Sequence, residues 1–139
     1  MHPKIIPSHH PPTSTARPAV LPGHTLALDT HCGRLYVTVN RDPASGLPVE
    51  IFCRFGKAGG CGSAIMDGMT RMVSAGLRAG MPVGEVVRGL AGIACHQGPA
   101  TCMDALARAV AVVMLSQVTG RDPNEILEEG KTLRQDSTP

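Results

Sequence analysis

The chain has 139 residues and a mass of 14.5 kDa, which allows one compact domain with tails and excludes a large enzyme barrel. Hydrophobic residues make up 42%, but with one Tyr, two Phe and no Trp the core has to be filled by Val, Leu, Ile, Ala and Met, and a base-stacking surface is not expected. Thirteen Lys and Arg against eleven Asp and Glu give a net charge of +2, too even a balance for a polyanion-binding field, so nucleic acid is not an expected partner.

Residues 1–22 carry Pro3, Pro7, Pro11, Pro12, Pro18 and Pro22 among Ser, Thr and His. That composition neither forms helix nor buries apolar surface, so a disordered tail is expected, with His2, His9 and His10 solvated rather than ligating. From His24 the period becomes two. Leu26 and Leu28, then Leu35, Val37 and Val39, alternate with polar neighbours; after the turn-forming Arg41–Gly46, Val49, Ile51, Cys53 and Phe55 resume the alternation. Each strand therefore buries one face.

The glycine-rich run GKAGGCG follows Phe55, and a helical period then places Ile65, Met69, Met72, Val73 and Leu77 on one face. Gly62 or Ser63 is the expected cap and Gly80 the stop. Pro82 opens a short helix with Val83, Val86, Val87 and Leu90 as its stripe. After a connector, Thr101 with Asp104 forms a capping box for a helix turning Leu106, Val110, Val113 and Met114 inward. Asp122, Pro123 and Glu125 start a last, shorter helix. Strands followed by helices predict an α+β fold: a three-stranded antiparallel sheet with three or four helices on one face. The chain divides into the tail 1–22, a domain over 23–119 and a short helical extension over 120–139.

Five cysteines without a secretory leader read as thiols in a reducing, cytoplasmic compartment, because a disulfide framework normally brings an even count and an export segment. The longest apolar stretch, Ala109–Leu115, is far short of a membrane span, so no membrane attachment is expected. Cys53 lies on the core-facing side of a strand and is expected to act as a small hydrophobe. Cys32, Cys61, Cys95 and Cys102 lie where elements end, and two of them open helices, where the dipole favours thiolate. Four thiolates can enclose zinc or an iron–sulfur cluster, although no CxxC is present; unlinked buried thiols are the alternative. His31 and His96 each adjoin a cysteine and are alternative ligands or simply exposed. GKAGGCG departs from the phosphate-binding pattern, since its lysine precedes the glycines.

The runs THCGRLYVTVN, GKAGGCGSA and GLAGIACHQGPATCMDALARAV, with the approach RPAVLPGHTLALDT, resemble the TSCPD domain at the C-terminus of adenosylcobalamin-dependent (class II) ribonucleotide reductases. The resemblance covers Arg17 to Val113. Its name-giving motif keeps Cys102 and Asp104, with Thr101 and Met103 in place of serine and proline. The motif cysteines are then Cys32, Cys61, Cys95 and Cys102, and Cys53 has no counterpart. A more distant likeness, through Cys32-Gly33, GCGSAI and the late cysteine before Asp104-Ala105, is to the U-type iron–sulfur scaffold proteins, although Arg34 stands where these carry an aspartate.

These resemblances imply an accessory cysteine-rich metal-binding module linked to deoxyribonucleotide synthesis, with a class II reductase large chain as partner and zinc or an iron–sulfur cluster as cofactor. An iron–sulfur scaffold or carrier and a structural interaction domain are the alternatives, and a homo-oligomer is compatible with either. The reductases' radical chemistry belongs to a barrel that this length cannot hold, so no cobalamin site and no catalytic residue are expected. If zinc joins the four cysteines, their sulfurs converge to roughly 3.5–4 Å, with bonds of about 2.3 Å.

Overall fold

The structure is a computed structural model describing residues 17–56, 61–95, 98 and 101–136, without the side chains of Cys61 and residues 132–136. Three strands, β1 (Gly23–Thr30), β2 (Gly33–Arg41) and β3 (Pro48–Phe55), form an antiparallel sheet in the order β1-β2-β3. Four helices follow: α1 (Cys61–Arg78), α2 (Val83–Leu90), α3 (Cys102–Thr119) and α4 (Pro123–Asp136). The fold is the α+β arrangement that the change of period predicts.

Register carries the alternation across the sheet. Leu26 pairs with Val37, Leu28 with Leu35, Val37 with Cys53, Val39 with Ile51 and Leu35 with Phe55, so these side chains share one face. Leu35, Val37, Val39 and Ile51 are fully buried there. The β2–β3 turn is held by Asp42, whose carboxylate accepts from the Ala44 and Ser45 amides at 3.1 and 2.7 Å.

α3 lies across β1 and β2, α1 packs against β3, and α2 and α4 rest on α3. Leu106, Val110 and Val113 of α3 are buried as expected, and Met114 is half-buried. By length and composition α3 would suffice to cross a membrane, with a mean hydropathy of 1.4, yet 44% of it is buried within the domain. Its apolarity is that of a central core helix. α4 runs 14 residues, longer than the short helix expected, and begins with Asp122 accepting from the Asn124 amide at 2.8 Å.

α1 departs from the expected face. Ile65 and Met72, expected inside, are 57% and 73% exposed, whereas Met66, Thr70, Ser74 and Leu77 are buried. An apolar count treats Thr and Ser as outward residues, but both are satisfied internally here. Thr70 donates to the Met66 carbonyl at 3.0 Å. Ser74 accepts from the Ile51 amide at 2.9 Å and donates to the Ile51 carbonyl at 3.0 Å, so one hydroxyl serves both groups that edge strand β3 would otherwise leave unmade. Ser74→Ala is expected to cost about 1–3 kcal/mol, the cost of leaving buried backbone groups unpaired, as read from denaturant unfolding.

Glu50 also breaks the alternation. It lies on the polar face of β3 yet is only 2% exposed, because Arg17 covers it with two hydrogen bonds of 2.8 Å and Asn40 adds a third of 2.7 Å. The Arg17 hydrogen bonds outweigh desolvation and hold its carboxyl below the usual range. A depressed folded-state value means that this stabilisation is fully present above the unfolded-state value and is lost as pH falls through the folded one. Acid titration of the Tm should therefore show a smaller acid-induced loss in Glu50→Gln than in the parent protein.

Candidate functional site

The cysteines are positioned by backbone devices at one end of the sheet. The β1–β2 hairpin turns at His31 and Cys32, closed by Thr30, whose hydroxyl donates to the Gly33 carbonyl at 2.7 Å and accepts from the Cys32 amide at 3.1 Å. Cys32 is therefore held at an exposed hairpin tip. Cys95 sits in a second tight turn, in which Cys95 and Gly98 exchange backbone hydrogen bonds of 3.0 and 2.9 Å. The two turns meet: Nε2 of His31 lies 3.2 Å from where a Cβ on Gly98 would stand. Gly98 has φ +119°, so both its backbone conformation and the imidazole beside it favour glycine.

The connector carrying Cys95 is tied to the start of α3. Thr101, the N-cap of α3, accepts from the Asp104 amide at 3.1 Å and donates to the Ile93 carbonyl. Asp104 accepts from the Gly92 amide at 2.9 Å and lies 3.2 Å from the Arg108 guanidinium. The Thr101 half of the expected capping box is present, and the Asp104 carboxylate does more than start a helix. Thr101 and Asp104 fasten residues 92 and 93, and so set where the chain leaves for Cys95 and returns to Cys102. The capping pattern was visible in the sequence; the reach of its two side chains back to the connector was not.

Cys102 opens α3 and is half-buried against the core beside Cys53. Its thiol is pushed up by burial and then by Cys32, with Cys95 adding a smaller effect; the Met103 amide and its own amide pull the other way. The expectation that the helix N-terminus makes Cys102 a thiolate is therefore corrected. Desolvation and neighbouring thiols outweigh the backbone donors. Cys32 and Cys95 are thus both in the electrostatic neighbourhood of Cys102. Cys53 is pushed up to about 12, chiefly by burial, as suits a packing thiol.

Cys61 begins α1, and the next residue, Gly62, approaches the Phe55 ring, with 3.7 Å from a Cβ placed on it. Phe55 pairs with Leu35, which pairs with Leu28, close to the hairpin tip. The backbone of α1 thus starts at the sheet end where Cys32 lies. The Cys61 side chain, His96 and most of GKAGGCG lie outside the described residues, as do His2, His9 and His10. Among the described residues, no group of three or more His, Cys, Asp or Glu is arranged to hold a metal ion. Cys32, Cys53, Cys95 and Cys102 are free thiols.

An antiparallel three-stranded sheet with a helical layer, and cysteines at the ends of its elements, defines a small α+β domain class. The family model for the TSCPD domain matches residues 8–114, so the chain belongs to the TSCPD domain family. Neither the search of curated proteins nor that of solved structures gives a match.

Proposed function

We propose that this protein is an accessory, non-catalytic module that holds zinc at Cys32, Cys61, Cys95 and Cys102 and works beside a class II ribonucleotide reductase large chain. The observation that carries the reading is that the His31–Cys32 hairpin meets the Cys95–Gly98 turn, His31 Nε2 lying 3.2 Å from a Cβ placed on Gly98, with Cys32 and Cys95 both adding to the rise of the Cys102 thiol at the start of α3. A thiol raised by burial and by neighbouring thiols, as Cys102 is, ionises readily only when a cation takes the proton's place. A soft divalent ion suits that donor set, and Cys61, the first residue of α1, is the fourth donor. Bound zinc would join the three elements and contribute to folding.

The test is metal content and colour after anaerobic purification. About one zinc per chain in colourless protein supports the reading, whereas iron with visible thiolate-to-iron absorbance replaces it with an iron–sulfur scaffold. Metal-free protein of undiminished stability would leave an interaction domain with reduced thiols. For the reductase association, the expected result is co-purification with the large chain encoded in the same genome; absence of both binding and stimulation overturns it.

A further inference from the structure

We infer that the outward face of α1 is a self-complementary surface on which a second copy of this chain docks, the two helices running antiparallel about a two-fold axis. The apolar residues that α1 does not bury are not scattered. Ile65 and Met72, 57% and 73% exposed, stand seven residues apart on one flank of the outward face, about 10.5 Å along the axis. Gly68 lies between them near the centre of that face, and a Cβ placed on it meets nothing within 4 Å. Glycine inside a helix is unfavourable relative to alanine, and no packing among the described residues requires it here. A close crossing by another helix would.

Charge on the other flank identifies the occupant. Asp67 and Arg71, 61% and 76% exposed, pair along the helix at 3.1 Å. Rotation about a two-fold axis beside residue 69 brings Asp67 of one copy opposite Arg71 of the other, and the reverse, on the same flank of the pair. The same operation sets Ile65 beside Met72 of the second copy and the two Gly68 residues near the crossing. One symmetry operator thus satisfies the charges, the apolar flank and the glycine together, as an isologous interface requires. A single helix pair buries less than a standard interface, so the dimer should be reversible.

Sedimentation equilibrium on the full chain as purified, with its metal retained and thiols kept reduced so that disulfides cannot bridge copies, tests this. The parent protein is expected to dimerise between micromolar and millimolar concentrations. Asp67→Arg and Arg71→Asp should each weaken the dimer about tenfold or more by facing like charges across the two-fold axis. An equimolar mixture of the two variants should recover association as a heterodimer. Gly68→Ala provides a control for folding, since it should raise the Tm through helix propensity while weakening the dimer. A parent protein that stays monomeric at millimolar concentration overturns the inference and leaves the face to a different partner. So does a dimer indifferent to both charge reversals or to Gly68→Ala, or a mixture that does not re-associate.

Discussion

Cys102→Ser is expected to strip bound zinc from the reduced protein and to lower its Tm in the same step. The residue opens the central helix and lies within electrostatic range of Cys32 and Cys95, so in the proposed site its loss would remove the donor that links the hairpin tip to α3. Where metal ligation and folding are coupled, binding free energy appears as folding free energy, and both readouts should fall together. Cys53→Ala is the matched comparison. Its thiol is pushed up to about 12 by burial and packs against the core, so its removal should leave zinc unchanged and cost only packing, about 1 kcal/mol. Metal analysis by mass spectrometry with calorimetry on the same samples separates the two variants. Indistinguishable behaviour would sink the four-cysteine site and leave the thiols as separate packing and surface residues.

The second large effect is expected at Asp104. Its carboxylate, 9% exposed, accepts the Gly92 amide and faces the Arg108 guanidinium, so Asp104→Ala removes the acceptor of that amide and a carboxylate 3.2 Å from a partly buried cation. Breaking such a pair costs about 3 kcal/mol, which for a domain of this size lowers the Tm by roughly 10 °C or more. Asp104→Asn keeps an acceptor for Gly92 and removes only the charge, so its loss should be smaller. Hydrogen exchange localises the effect: the Gly92 amide should lose protection in Asp104→Ala before the α3 core does. A variant within about 0.5 kcal/mol of the parent would show that the connector is held by other contacts.

Much of the architecture could be read directly. Strand alternation in Leu26, Leu28, Leu35, Val37, Val39 and Ile51 survives in the structure because one-sided burial fixes register, and a slip by one residue would turn every one of those side chains outward. The Thr101–Asp104 cap and the inward stripe of α3 were legible for the same reason: both are local, periodic patterns. α1 was misread at Ile65 and Met72 because the partner that turns Ser74 inward, the backbone of Ile51, lies 23 positions away. Glu50 is buried on the other face of β3 because Arg17, 33 positions upstream, covers it, a contact that no local pattern shows.

The cysteines divide along the same line. Sequence by itself determined that the domain is α+β, that four cysteines fall at element ends, and that Cys53 belongs with the core, because these follow from local period and position. Tertiary structure alone decided that the His31–Cys32 hairpin meets the Cys95–Gly98 turn, and that Asp104 fastens Gly92. It also decided that burial and neighbouring thiols raise the Cys102 thiol against its own helix N-terminus. The reason is range: backbone propensity and capping act over a few residues, whereas desolvation and charge depend on which distant segments the fold brings alongside.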